Sequence, residues 1–468
     1  MNTETMDIAK FKKAYLIGIK GSGMVAVAEI FVFSGMAVTG SDTKEKFFTD
    51  KVLEKLNIKY FEKFSAKNIP NDADVVIYST AYNESNNIEL AEAKKRNLPI
   101  LSYPEILGEL FNKKYGIAVC GTHGKTTTSA MLSSVMKYCG VDPTAVIGSR
   151  IIDWGSNALV GKGDFFVLEA DEFQNKLKLY GPKAAVVTSI DWDHPDFFPN
   201  FSEYKKAFSD FVAKIPKTGF LVCCGDDANV AEIGKSARCA ILKYGFSKNN
   251  DFIITRVKKL IPGIIGEKFE VAFKGKGLGK FEIKLPGRHN VSNAAAVIAV
   301  CHKIGLGLEK VKEALNNFQG TSRRFEYIGE RNGAILIDDY GHHPEEIKAT
   351  LKSAREIYPD KNIIAVFHPH SYSRTEVLLA DFAQSFSDAN KVIVLDIYGS
   401  AREKSGKVSS RDLVSQINKY DFGKAEYIAT IKEVVDYLKN RIGQNDIVLC
   451  IGAGNVFEVA EKLKSPHP

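Results

Sequence analysis

The stretch Gly116 to Thr128, reading GIAVCGTHGKTTT, constrains the fold more than any other part of the chain. An apolar run, Ile117 to Cys120, predicts a buried strand. It breaks at Gly121, and a helical pattern runs from Lys125 to about Cys139. Strand, glycine-rich turn and helix, in that order, are the setting in which a phosphate-binding loop forms. Gly121 and Gly124 let the backbone turn tightly and aim its N–H groups inward, where they and the helix N-terminus attract phosphate oxygens. Lys125 then reaches the β/γ phosphates and the Thr126 hydroxyl holds Mg2+. The plainer alternative is a glycine turn capped by threonines; the setting favours the nucleotide. The spacing from Gly121 is shorter than the full Gly-x4-Gly-Lys-Ser/Thr form, which points to a subfamily of such loops.

A chain of 468 residues has room for two or three domains. Its content of 45% hydrophobic and 25% charged residues is ordinary for a soluble globular protein. The net charge of +7 comes from scattered Lys and Arg, without an aromatic-interleaved basic stripe. That argues against a nucleic-acid partner and suits an anionic small-molecule substrate. Seven cysteines, with no paired metal spacing, predict reduced structural thiols and a cytoplasmic location. Met1 to Lys13 is polar and lacks the apolar centre of a secretion signal. No uninterrupted apolar stretch reaches the ~18 residues of a membrane span, so no membrane association is expected.

Before the loop, Ala14 to Ile19 reads as a strand, followed by Gly18, Gly21 and Gly23 in a turn, a helix to about Phe33 and a second strand, Met36 to Thr39. Asp42 stands roughly 20 positions on, the arrangement with which a dinucleotide-type fold holds a pyrophosphate and a ribose. Such a turn also serves merely to pack a helix on a strand, and the two readings are evenly matched. Further strands at Ile58–Phe61, Val75–Ser79 and Pro99–Leu101 predict an open parallel sheet. Ser79 sits at a strand end, where such sheets bind ligands.

After the loop, the strand Phe165–Leu168 runs into Glu169-Ala170-Asp171-Glu172, and the strand Ala184–Ser189 into Asp191-Trp192-Asp193-His194. Any one acidic loop is usually a solvated surface. Two after consecutive strands, beside a phosphate loop, suit Mg2+, which prefers carboxylate, phosphate and water oxygens. His289 and Asn293 open a helix; residues of these types are commonly caps, but here they also present polar groups to a base. A third unit opens at Thr321. Its hairpin turns at Asn332-Gly333, and its strand ends carry Asp338 to Pro344, His368 to Thr375 and Gly452 to Asn455. His342 and His343 lack a third ligand at a zinc-like spacing, so substrate contact is the better reading.

In this order, GTHGKTTT from Gly121, EADE from Glu169, Asp193-His194, GRHNVSN from Gly287, Arg323-Arg324-Phe325 and DDYGHHP from Asp338 resemble the motif series of the Mur ligases. The resemblance spans about Ala14 to Leu463. The DDYGHHP run, His368-Pro369-His370 with Tyr372 to Thr375, SARE from Ser400 and GAGN from Gly452 look most like the alanine-adding members. The resemblance implies an α/β protein of three domains. Residues 1–112 would form a Rossmann-like UDP-sugar domain. Residues 113–320 would form a central P-loop ATPase domain with a parallel sheet. Residues 321–468 would form a C-terminal Rossmann-like domain that binds the amino acid and completes the ATP site. It implies an ATP-dependent carboxylate–amine ligase of peptidoglycan precursor synthesis, a monomer or weak dimer. Its substrates would be UDP-N-acetylmuramate and L-alanine, and its cofactors ATP and Mg2+. The runner-up is the same chemistry with another amine, a recycled murein tripeptide or a different amino acid.

By the same resemblance, Gly121, Thr122, His123, Gly124, Lys125, Thr126 and Thr127 bind the phosphates. Thr126, Glu169 and His194 hold metal, and His289 and Asn293 face adenine. Arg324 and Asp339 reach ATP from the third domain. Tyr340, His342 and Arg374 face the amino acid and the acyl phosphate. Gly18, Gly21, Gly23, Asp42 and Ser79 line the UDP-sugar site. Lys125, His194, His342 and Arg374 are the expected catalytic residues. The third domain is expected to close on the others.

Four departures from the family pattern stand out. Lys20 replaces the middle glycine of the first turn, where it either adds charge near the diphosphate or points to solvent. Ser371 stands where an arginine is common, and one hydroxyl cannot replace a bidentate fork. Phe173 to Leu177 replaces a Ser-Asp-x-Ser-Phe run and is similar to the tripeptide-recycling branch. No counterpart of the carbamylated lysine of other family members stands at the right spacing.

Overall fold

The computed structural model describes residues 8–195, 197–260, 265–399, 403 and 405–464. Residues 1–7 of the polar N-terminal stretch, and Ser400, Ala401 and Arg402 of the SARE run, lie outside them.

Three sheets follow one another along the chain. The first holds β1 (Lys13–Ile17), β2 (Ala37–Ser41), β3 (Lys59–Phe61), β4 (Val75–Tyr78) and β5 (Ile100–Ser102). All its pairings are parallel, in the order β3-β2-β1-β4-β5. The second holds β6 (Tyr115–Cys120), β7 (Thr144–Val146), β8 (Ala158–Leu159), β9 (Phe165–Glu169), β10 (Ala184–Val187), β11 (Phe220–Cys224), β12 (Ala240–Gly245), β13 (Phe252–Lys259), β14 (Glu267–Phe273) and β15 (Lys276–Ile283). Its order is β15-β14-β13-β12-β11-β10-β6-β9-β7-β8. The centre is parallel, as expected. The edges are not: β13, β14 and β15 pair antiparallel, as do β7 and β8. The third holds β16 (Glu326–Arg331), β17 (Ala334–Asp339), β18 (Asn362–Phe367), β19 (Lys391–Val394), β20 (Ala425–Tyr427) and β21 (Asp446–Ile451), in the order β16-β17-β21-β18-β19-β20. Only its hairpin, β16 with β17, is antiparallel.

Side-chain alternation shows why the central strand forms. Ile117 and Val119 of β6 enter one core with the helices Lys125–Tyr138 and Arg288–Lys303. Ala118 and Cys120 enter another with Phe208 and Phe211 of the helix Phe201–Val212. A strand buried on both faces reads as a continuous apolar run, which is how it stands in the sequence. Polar bonds join the units. Asn157 Nδ2 donates to Ser22 O at 3.0 Å, and Ser156 Oγ to Glu29 Oε2 at 2.6 Å, between the first two. Ser149 Oγ donates to Ser322 O at 2.8 Å between the second and third.

Candidate active site

The strand order β10-β6-β9 positions the site. The loop after β6 has the end of β9 on one side and the end of β10 on the other, so both acidic strand ends flank it. The chain reverses at Gly121 (φ 129°), and Gly124 (φ 79°) caps the helix that follows. A Cβ on Gly121 would stand 2.3 Å from Thr188 Oγ1, and one on Gly124 2.6 Å from Asn293 Oδ1, so neither position admits a side chain. The β10 end pins the loop: Thr122 N donates to Ser189 O at 2.7 Å, and Thr188 Oγ1 to His123 O at 2.5 Å. Lys125 curls over the turn. Its Nζ donates to Gly121 O at 2.5 Å and Thr122 O at 3.1 Å and pairs with Glu172 Oε2 at 3.2 Å. Burial disfavours its charge, but Glu172, Asp171 and Glu169 outweigh that and raise its pKa, so it stays a cation.

Thr126 and Glu169 meet: Thr126 Oγ1 donates to Glu169 Oε1 at 2.6 Å. His194 stands with Asp171 and Glu172, their ligand atoms all within 4.8 Å of one another. Sequence reasoning named the acidic run Glu169 to Glu172 as suited to Mg2+ but singled out Glu169, not Asp171 or Glu172, as the ligand beside His194. A hydroxyl, carboxylates and an imidazole beside a phosphate loop fit a hard divalent cation.

A cavity of about 450 Å3 lies between the loop and the third sheet. His123, Gly124, Thr127, His289, Asn293, Arg324 and Asp339 line it, seven of the residues expected at a nucleotide. Gly121 and Thr122 belong to the adjoining loop, and Lys125 and Thr126 to the first turn of the helix that follows it. The helix that His289 opens is capped by Gly287, so His289 is free of that role. Sequence reasoning missed Glu346, which also lines the cavity. Its Oε1 faces His123 Nδ1 at 3.3 Å, and its Oε2 accepts from His342 N at 2.9 Å. The signal was the His-Pro-x-Glu spacing from His343, a capping pattern. His123 also pairs through Nε2 with Asp191 Oδ2 at 3.1 Å. Burial opposes its protonation, yet Asp191 and Glu346 push its pKa up to about 9.

Arg374 reaches the β10 end from the third unit. Its Nε and Nη2 donate to Asp193 Oδ1 at 3.0 and 2.8 Å, and both residues are buried. Its Nη1 donates to His370 O at 3.1 Å. Tyr340 and His342 lie edge to face, ring centroids 5.3 Å apart, and the Arg324 guanidinium stands 5.3 Å from the Tyr340 ring. Burial, with Arg374 and His370, pushes the His342 pKa down to about 3 despite Glu346 and Asp193. Its Nδ1 lies 3.1 Å from Tyr340 O. A donor is needed there, which leaves Nε2 as an acceptor. Ser371 turns to Ser373, their Oγ atoms 3.1 Å apart.

Gly18, Gly21, Gly23, Asp42 and Ser79 gather at the C-terminal ends of β1, β2 and β4. Gly23 is required by Tyr103, whose ring would stand 2.3 Å from a Cβ there. Asp42 is occupied: Oδ2 accepts from Lys20 N and Oδ1 from Thr43 N, each at 2.7 Å. Lys20 does not point to solvent. It is 1% exposed, and its Nζ is 3.1 Å from Glu62 Oε1 and 3.3 Å from Asp50 Oδ1. Acidic neighbours, invisible at that distance in sequence, draw it inward.

Residues 13–115 match the Mur ligase family, catalytic domain; residues 119–301 match the Mur ligase middle domain; residues 323–454 match the Mur ligase, glutamate ligase domain. A UDP-N-acetylmuramate–L-alanine ligase of Desulfitobacterium hafniense is 41% identical over 96% of this chain and 98% of its own. The chain belongs to the Mur ligase family. Another ligase of that name, from Caldanaerobacter subterraneus, is 41% identical over 98% of both chains. Among solved structures, the UDP-N-acetylmuramate-alanine ligase of Thermotoga maritima superposes with a TM-score of 0.80 at 27% identity, covering 96% of this chain and 98% of its own. A murein peptide ligase of Psychrobacter arcticus, 22% identical, shares the fold with a TM-score of 0.73 over 98% of this chain and all of its own. The three-domain α/β architecture is thus that of the Mur ligases.

Proposed function

We propose that this Mur ligase joins L-alanine to UDP-N-acetylmuramate with ATP, in peptidoglycan precursor synthesis in the cytoplasm. The observation that carries the reading is the meeting of three groups of residues at one inter-domain site: the phosphate loop, the two acidic strand ends, and the Tyr340–His342–Arg374 face. The close likeness to ligases of that name over nearly the whole chain supports it.

A carboxylate resists attack by an amine. Transfer of the γ-phosphoryl group of ATP to a carboxylate oxygen gives an acyl phosphate and ADP. Attack by the amine on the carbonyl carbon then forms the amide and releases phosphate. Little covalent work falls to the protein; it must position the reactants and stabilise charge. Lys125, kept protonated by its acidic neighbours, would turn from its own loop carbonyls to the phosphate oxygens. Thr126 and Glu169, with Asp171, Glu172 and His194 beside them, would hold Mg2+, which supplies charge neutralisation between phosphate oxygens. His289 and Asn293 would face the base, and Arg324 and Asp339 would complete the nucleotide site. His342 is neutral at pH 7, and its Nε2 would accept a hydrogen bond from the attacking amine and so orient it. Gly18, Gly21, Gly23, Asp42 and Ser79 would bound the UDP-sugar crevice. Residues 1–112, 113–320 and 321–468 would be the three domains, in a monomer or weak dimer.

Phosphate release with UDP-N-acetylmuramate, ATP and Mg2+ tests this against L-alanine, glycine, L-serine and the murein tripeptide. Stimulation by L-alanine alone is expected. Stimulation only by the tripeptide would move the amine assignment to the reading that Phe173 to Leu177 favours. No release with any amine would overturn the ligase reading.

A further inference from the structure

The glycine-rich turn of the first sheet carries a lysine for which the reaction has no use. In the order β3-β2-β1-β4-β5 the winding reverses between β1 and β4, and open α/β sheets hold ligands at such a reversal. The turn after β1 meets the residues after β4 there: a Cβ on Gly18 would stand 2.8 Å from Tyr82 Cε2 and 2.9 Å from Ser79 Cβ. The segment after β2, Asp42 to Glu45, faces them from the opposite side. Burial, with the charges of Asp42 and Glu45, pushes the Tyr82 hydroxyl up to about 12.

Lys20 lies beneath that segment. Its Nζ donates to Thr43 O at 2.9 Å, Glu45 O at 3.0 Å and Glu62 Oε1 at 3.1 Å, and it pairs with Asp50 Oδ1 at 3.3 Å. Its amide holds Asp42, and its carbonyl accepts from Thr49 Oγ1 at 2.6 Å. An ammonium has three N–H donors, and four acceptors already surround them. A buried charge is tolerated only when paired in this way. Lys20 therefore has no donor left for a diphosphate, and without it the Thr43 and Glu45 carbonyls and Asp50 would lose their shared ammonium, while Glu62 would keep Lys46.

We propose that Lys20 is a positioning residue for a uridine diphosphate group, its ammonium fixing the Asp42–Glu45 segment as one wall of the crevice between β1 and β4. This rests on the assignment of that crevice to the UDP-sugar. Lys20, Asp50 and Glu62 form one set, with Lys46 reaching Glu62 from the exposed side at 2.6 Å.

Calorimetric titration of the full-length protein with UDP, and separately with ADP, tests it. Lys20→Met is expected to weaken UDP about tenfold, the scale of one or two lost ordering hydrogen bonds, with ADP affinity unchanged. The KM for UDP-N-acetylmuramate should rise by about the same factor and kcat should fall less than twofold. If Lys20→Met does not fold, Glu62→Gln replaces it, since that side chain is 38% exposed; a UDP loss of about threefold is expected. UDP binding at wild-type strength in the folded variants, or equal losses of UDP and ADP, overturns the role of Lys20. Failure of the wild-type protein to bind UDP overturns the crevice assignment instead.

Discussion

Arg374, on the third sheet's side, and Asp193, at the end of β10, form a buried ion pair in which two guanidinium nitrogens converge on one carboxylate oxygen. Asp193 Oδ1 also accepts from His194 N at 2.7 Å. Burial resists both charges, yet Arg374, His194 and His342 hold the Asp193 carboxyl well below the usual range. The pair thus locks a residue expected at the acyl phosphate onto the loop that presents His194.

Removing one member of a buried pair strands the other, at a cost of about 3–5 kcal/mol. Asp193→Ala should therefore lower the unfolding free energy measured in urea. Arg374→Lys keeps the charge but loses the fork, and it should cut kcat/KM by about 100-fold with a smaller loss of stability. Wild-type turnover in Arg374→Lys would remove the residue from the reaction.

Lys125→Ala should lose phosphoryl transfer, by roughly 100- to 1000-fold, while circular dichroism stays close to wild type and the melting temperature falls, because buried Glu172 loses its cation. The lysine's side-chain partners are its own loop carbonyls and Glu172, and Glu172 keeps the Tyr204 hydroxyl as a donor at 2.9 Å, so the fold is retained. Activity near wild type would refute the loop assignment.

Glu169→Gln should raise the Mg2+ concentration for half-maximal activity by about tenfold or more. Chelation of divalent cations should abolish activity in both proteins. An unchanged Mg2+ titration would take Glu169 out of the metal site and leave Asp171 and Glu172 as its acids.

His123 sets a pH dependence. Its folded pKa, about 9, lies above the ~6.5 of a free histidine. The triad with Asp191 and Glu346 therefore stabilises the fold fully below about pH 6.5, and that contribution is lost as pH rises through about 9. Melting temperatures of the wild type and His123→Asn should converge between pH 7 and pH 9.5. A constant difference would show that the imidazole is not charged.

The central strand and the phosphate loop were legible because both are local: an apolar run and glycines at fixed offsets. The hairpin was legible for the same reason, Asn332 and Gly333 taking φ of 52° and 81°. β7, β8 and β20 escaped, with no periodicity over two or three residues, and β11 and β12 escaped as well. The strand order was not legible, since pairing of β6 with both β9 and β10 is set by packing far along the chain. So the acids were named, but not which of them gathers with His194. Lys20 escaped because its partners Asp50 and Glu62 lie on other elements. Glu346 was missed because its sequence spacing marks only a capping pattern, while its contact with His123 comes from a distant part of the chain.

The segment after β10 makes three commitments within a few residues. Ser189 holds the phosphate loop, Asp191 holds His123, and Asp193 holds Arg374. Each faces a different part of the site, and each depends on its place in the count. An insertion or deletion there would shift at least two of the three out of register at once. Substitution at a single position is a smaller disturbance than a change in length. Among homologues this segment should therefore show a fixed number of residues even where their identities drift, and it is the last place in the protein to graft a tag or a linker.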